Sequence, residues 1–212
     1  MDLQFTEASS LAIIDRQIEG IEENFSPAQY EIIRQVIYYT GDMEYQSLLK
    51  FSDGALAKGA AALTAITPII VDVPEVQVSI VPRLQQTFRN PVYCCATIST
   101  EVTDKVTRAS NGLEMLGSKY PHGILIIGQD QTAMSTMVDL LRNKVIEPTL
   151  AIATPPTFLE SNTKQRLQKS SIPYVCVNRD KGGATVASAI LNALISLTWQ
   201  ASRKDQASHS KP

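Results

Sequence analysis

The stretch "IPYVCVNRDKGGATVASAILNAL", residues 172–194, decides the fold. Its first part is a short apolar run of the strand type, rich in β-branched residues. A polar turn with two glycines follows, and from Ala184 onward the pattern is that of a long apolar helix. The run "IPYVCVN" lacks strict polar alternation, which is how a strand buried on both faces reads. A buried strand that turns into a helix is half of a βαβ unit.

Working outward, the same pattern recurs. "PIIVDV" (68–73), "PVYCCATI" (91–98), "GILIIG" (123–128) and "TLAIAT" (149–154) are apolar runs, each followed by a segment with helical periodicity. Strands alternating with helices imply crossover connections between parallel neighbours. The expected fold is therefore α/β, a doubly wound, mostly parallel sheet with helices on both faces and an N-terminal helical segment. In that segment Leu11, Ile14, Ile18 and Ile21 fall at helical spacing behind Ser9 and Ser10, either of which could cap a first helix over about 10–24. Ser26 and Pro27 read as an N-cap and first helical position of a second helix that stops near Gly41. Ser52 is read as the cap of an alanine-rich helix, "DGALAKGAAALTAI".

Length and composition agree with one domain, expected over 1–201, because 212 residues lie below the ~250 at which single cores stop growing. The tail "SRKDQASHSKP" (202–212) has no apolar residue beyond one alanine and is expected to be disordered. With 44% hydrophobic residues, 19% charged and a net charge of -2, the chain has no electrostatic footprint for nucleic acid or an anionic membrane. No secretory leader or membrane-length apolar run is read, so a soluble protein is expected. Cys94, Cys95 and Cys176 are odd in number and lack metal-site spacing, which points to a reducing cytoplasm and to no metal site.

Several chemistries lack the residues they need. There is no G-x-x-x-x-G-K-[ST] and no G-x-G-x-x-G to cradle a nucleotide phosphate. G-x-S-x-G is also missing, and the two histidines, His122 and His209, lie in a loop and in the tail. What the fold class does supply is a place: ligands of such sheets bind beyond the carboxyl ends of the strands. That selects Asp72, 97–100, 128–132, 154–158 and 178–183. Lys181, Gly182 and Gly183 stand directly before an apolar helix, where a cation and exposed amides would hold a carboxylate or phosphate. A glycine-rich turn with a solvated lysine is the other reading.

Six blocks then bring a family into view: "VIYYTGDMEY", "VDVPEVQVSI", "TRASNGLEML", "GILIIGQDQTAM", "EPTLAIATPPTFLESNTKQRL" and the opening stretch. Their order, over about residues 8–197, resembles the precorrin-8X methylmutase family of cobalamin biosynthesis. The last block is the most specific, with Pro173, Lys181-Gly182-Gly183 and Asn192-Ala193-Leu194 at the family's signature positions. The resemblance implies a homodimeric α/β isomerase that moves a methyl group from C11 to C12 of a polycarboxylate tetrapyrrole, with no separate cofactor. Its product would be hydrogenobyrinic acid or, with cobalt, cobyrinic acid. The apolar helices "GALAKGAAALTAI" and "ATVASAILNALISLTW" carry more apolar surface than one sheet face needs, which also suits a dimer.

The family's motif has a histidine where this sequence has Tyr38, in Val36-Ile37-Tyr38-Tyr39-Thr40-Gly41-Asp42. The resemblance thus makes Tyr38 the candidate acid, a phenol in place of an imidazole; the unperturbed pKa values of these two group types are about 10 and about 6.5. A phenol stays protonated at neutral pH and donates a hydrogen bond. Helix geometry turns neighbouring side chains about 100° apart, so the two rings cannot share one direction; the resemblance implies that Tyr38 faces the ligand, leaving Tyr39 to pack or cap the helix end. The candidate substrate-binding residues are Ser10, Thr40, Asp42, Asp72, Arg108, Thr132, Phe158, Lys181, Gly182 and Gly183. Ala109 and Ala184 stand where the family usually carries serine, Gln129-Asp130-Gln131 replaces an Asn-x-Pro turn, and Thr157 replaces a glycine. The alternative is a tetrapyrrole binder that has lost the acid and does not catalyse.

Overall fold

The computed structural model describes residues 5–18, 20, 24–99, 106–157 and 162–209. In chain order the elements are α1 (Phe5–Gln17), α2 (Pro27–Thr40), α3 (Tyr45–Leu48), β1 (Leu49–Phe51), α4 (Ala55–Thr64), β2 (Ile69–Val71), α5 (Pro74–Gln85), β3 (Val92–Cys94), α6 (Cys95–Ile98), α7 (Arg108–Lys119), β4 (Ile124–Ile127), α8 (Gln131–Arg142), β5 (Leu150–Ala153), α9 (Thr163–Gln168), β6 (Tyr174–Val177) and α10 (Ala184–His209). The strands form one sheet in the order β1-β6-β5-β4-β2-β3. Every pairing is parallel except β1 with β6. The mostly parallel α/β sheet is as the sequence predicts.

Side-chain alternation along the buried strands divides the core in two. Ile69, Val71, Ile124, Ile126, Leu150, Ile152, Val175 and Val177 face one cluster with α1, α2, α4, α5 and α10. Ile70, Leu125, Ile127, Ala151, Ala153 and Cys176 face the other with α7, α8 and α9. The chain moves outward from β2 to β3 through α5, then returns past β2 to β4 through α7. Right-handed crossovers demand that this reversal put the two helices on opposite faces, as observed. The reversal also makes the gap between β2 and β4 the switch point of the sheet.

Local signals set both ends of α2. Ser26 and Gln29 form a reciprocal capping box before Pro27, and Gly41, at φ 67, closes α2 with its N–H on the Ile37 carbonyl. Three expectations are corrected and one strand is added. Helix α1 begins at Phe5, so Ser9 and Ser10 lie inside it and do not cap it, and Ile21 lies outside the described residues. The N-cap of α4 is Gly54, while Ser52 Oγ accepts the Tyr174 N–H and fastens β1 to β6. Strand β1 escapes notice because "LKF" is three residues long, too short for a periodic signal. Helix α10 continues to His209, past the boundary expected at 201. Arg, Lys, Gln and Ala are good helix formers, and extending an existing helix avoids the cost of nucleation. By length and composition residues 184–204 of α10 pass for a membrane span, yet 56% of that segment is buried and it packs on α2, α4 and α5.

Candidate functional site

Because the central strands are parallel, α5, α8 and α10 all begin just beyond strand carboxyl ends, and α7 begins at the same edge after α6 and the segment that follows it. The antiparallel β1 brings the end of α2 there too: Leu49 pairs with Val177, and the Leu48 carbonyl accepts the Asn178 N–H. The segment 38–48 therefore stands beside the loop 178–183.

An ion pair ties the two. Lys181 Nζ donates to Asp42 Oδ2 at 2.5 Å and lies 3.1 Å from Glu44 Oε2. The hydrogen bond to Asp42, then that to Glu44, raises the Lys181 pKa. In return the Lys181 bond holds the Asp42 carboxyl below its ordinary range, against a burial effect of opposite sign. Asp42 Oδ1 also accepts the Glu44 N–H at 2.9 Å, and Thr40 Oγ1 accepts the Asp42 N–H at 3.3 Å. Lys181 has three N–H donors. Two have partners among the described residues, which leaves one for a ligand.

The glycines after Lys181 are required by a close approach. Gly182 has φ 148, and a Cβ there would lie 1.9 Å from the Thr154 carbonyl oxygen. Gly183 donates to that same oxygen at 2.7 Å, and its own carbonyl accepts Thr154 Oγ1 at 3.1 Å. The Gly183 amide is thereby committed to β5 and is not an open ligand donor, contrary to expectation. Behind the loop stands Tyr45, a buried residue the sequence reading passed over. Burial and the Asp42 charge raise its phenol pKa, while Lys181 and the Gly182 backbone pull it back. Its only sequence signal is its place in the "GDMEY" block.

Asp72 is corrected more strongly. It is fully buried at the end of β2. Its Oδ1 accepts the N–H groups of Val73 and Gly128, and Oδ2 those of Gln129 and Asp130, all between 2.7 and 3.0 Å. A carboxylate offers about four lone-pair sites, so none remains for substrate. Asp72 instead fixes the turn into α8 at the switch point. Burial still pushes its carboxyl pKa up, with the four amides pulling the other way. Asp130 Oδ1 completes the turn by capping α8 at the Ala133 N–H, 2.7 Å away.

The remaining candidates fall as follows. Tyr38 is half-buried against the core in the last turn of α2. Its ring meets that of Tyr39 edge-on, with centroids 5.2 Å apart. Tyr39 neither packs inside nor caps the helix: it is 48% exposed, and backbone bonding at Gly41 already closes the end. Thr40 Oγ1 bonds back to the Val36 carbonyl at 2.7 Å. Ser10 is half-buried on α1. Since Asp15 of α1 meets Tyr30 and Arg34, an antiparallel pairing carries Ser10 toward the Tyr38 end of α2. Arg108 is exposed as the first residue of α7, and among the described residues no carboxylate pairs with it. Thr132 is half-buried in the first turn of α8. Phe158 and Thr100 lie outside the described residues. The structure thus joins Thr40, Asp42, Lys181 and Gly182 into one cluster near Tyr38, with Arg108 and Thr132 on separate helices along the same sheet edge.

The sequence profile of precorrin-8X methylmutase matches residues 6–197. The chain belongs to the precorrin-8X methylmutase family. Among curated members, a cobalt-precorrin-8 methylmutase from Synechocystis sp. is 31% identical over 206 residues, covering 90% of this chain and 94% of the relative. A precorrin-8X methylmutase from Pseudomonas aeruginosa is 30% identical over 178 residues, covering 79% and 84%. The crystal structure of a precorrin-8X methylmutase from Thermus thermophilus superposes with a TM-score of 0.82 at 28% identity, over 93% of this chain and 99% of that one. Family membership makes this chain an isomerase of cobalamin biosynthesis. In open α/β sheets generally, ligands bind beyond the strand carboxyl ends, the edge just described.

Proposed function

We propose that this protein moves a methyl group from C11 to C12 of precorrin-8X or its cobalt form, giving hydrogenobyrinic or cobyrinic acid. One C–C bond breaks and one forms within the same macrocycle, so no co-reactant is consumed. The observation that carries the reading is the meeting of the Tyr38-bearing end of α2 with the Lys-Gly-Gly loop through the Lys181–Asp42 pair, in a chain of this family. Tyr38 hydrogen-bonds the ring as charge redistributes during the shift. Arg108 and the remaining Lys181 N–H hold peripheral carboxylates, where charge-assisted bonds are strong. Thr132, Ser10 and Phe158 complete the binding set. Relatives bear names for both the cobalt and the metal-free substrate, so both belong in the test.

We place the protein in the cytoplasm, supported by three cysteines that are free and buried, and we read it as a homodimer. Incubation with precorrin-8X and with its cobalt form, followed by visible absorbance, is expected to give the isomerised product. Hydrogenobyrinic acid is expected to bind the same protein. Binding without turnover of either substrate would favour the non-catalytic binder, and absence of both would sink the corrin reading.

A further inference from the structure

Lys164 is a buried lysine that the reaction as proposed does not use. It is 9% exposed on α9. Its Nζ donates to the carbonyl oxygen of Arg179 at 2.7 Å. Taking an ammonium out of water is costly unless it is well bonded. Burial accordingly lowers its pKa, while Cys176 and Asp180 nearby favour the charged form.

The carbonyl it holds belongs to an unusual residue. Arg179 has φ 61, in the left-handed region that residues with a side chain avoid. Such a conformation persists where surrounding contacts impose it. Immediately downstream the loop is tied again: the Asp180 carbonyl accepts the Thr157 N–H at 3.3 Å, Lys181 pairs with Asp42 and Glu44, and Gly183 bonds to Thr154. After Asn178, which is held by the Leu48 carbonyl and by Gln168, the Lys164 bond ties the loop at the point where the backbone changes hand.

We infer that Lys164 is a positioning residue: by holding the Arg179 carbonyl it keeps the left-handed turn in the one conformation that carries Lys181 and Gly182 to the ligand edge. Its consequence for a polycarboxylate ligand rests on the corrin reading above; its effect on the loop does not.

Hydrogen exchange on the ligand-free protein tests the loop. Lys164→Met keeps the unbranched stem and removes the donor, while Lys164→Arg keeps a donor. Exchange at residues 180–184 is expected to quicken roughly tenfold in the Met variant and to return toward wild type in the Arg variant, with β4 amides unchanged. Unchanged exchange in a folded Met variant overturns the assignment. Should that variant not fold, wild-type protein with 15N-labelled lysine and 13C-carbonyl-labelled arginine is expected to show a coupling across the hydrogen bond from Lys164 Nζ to the Arg179 carbonyl carbon. Its absence overturns the assignment as well. With ligand, affinity for hydrogenobyrinic acid is expected to fall roughly tenfold in the Met variant and recover in the Arg variant, with kcat at saturation little changed. A loss confined to kcat would contradict positioning. Wild-type protein that binds no corrin while the exchange contrast persists would sink the corrin reading and uphold this one.

Discussion

At Tyr38 the local geometry and the proposed chemistry meet in one side chain. The ring is half-buried against the core and braced edge-on by Tyr39, so its position is set by packing on one side and an aromatic contact on the other. Exchanging the side chain there should change chemistry more than folding. Tyr38→His is expected to raise the rate of methyl migration, because an imidazolium gives up its proton more readily near neutral pH than a phenol does. Tyr38→Phe is expected to abolish turnover and leave product binding largely intact. Turnover untouched by both changes would remove residue 38 from the chemistry. A few residues on, Asp42 makes a prediction about pH. Its folded-state pKa is lowered from 3.8 by Lys181. A depressed carboxyl contributes stability above its unfolded pKa and loses it as pH falls through the folded value. The stability difference between wild type and Asp42→Asn is therefore expected to be flat above about pH 5 and to shrink as the pH drops below ~4. Denaturant titrations at several pH values measure it, and a difference that grows on acidification would refute the linkage.

Among the elements, the turn between β6 and α10 depends most on its residue types. Gly182 meets the Thr154 carbonyl so closely that a Cβ has no room, and its φ of 148 adds strain for any side chain. Gly41 also has a positive φ, of 67, yet nothing lies within 4 Å of its would-be Cβ. Gly41→Ala is thus expected to cost only about 1 kcal/mol, the ordinary left-handed penalty. Gly182→Ala is expected to cost more, roughly 1–3 kcal/mol of strain, and also to displace Lys181 and weaken product binding. Equal urea midpoints for the two variants would contradict the close approach. This contrast also explains what the sequence can disclose. Five of the six strands are legible because long apolar runs between helical segments have no other soluble solution, and the Lys-Gly-Gly turn is legible because paired glycines mark a backbone constraint. What stays hidden are the partners. Nothing in "VDVPE" says that the Asp72 carboxylate serves three amides of a loop more than fifty residues away. Likewise Lys164, in a polar stretch, reads as solvated until the fold buries it. Polar residues change role with burial, and burial is a property of the tertiary fold.

For the whole molecule, the open matter is how many chains it takes to make one. The sequence suggests a dimer partly because α4 and α10 look too apolar for one sheet face. The structure uses that surface internally: Ala55, Gly59, Ala62 and Leu63 of α4 are buried, and α10 packs on α2, α4 and α5. The apolar side chains left outside, among them Ile13, Val78, Ile98, Met115 and Val145, sit on different elements and form no obvious single seam. What remains in favour of the homodimer is the family resemblance together with an open sheet edge. Strand β3 lies at the end of the sheet with one side lacking a strand among the described residues. Unpaired strand edges invite a second chain. A closed two-fold pairing satisfies both copies with the same surface and leaves no free end to propagate. Light scattering at micromolar concentration is therefore expected to return twice the 23.2 kDa chain mass. If β3 forms the seam, a charge in place of Val92 should shift the protein toward monomer. A wild-type mass of one chain would sink the dimer, and a dimer indifferent to Val92→Lys would move the seam away from the β3 edge.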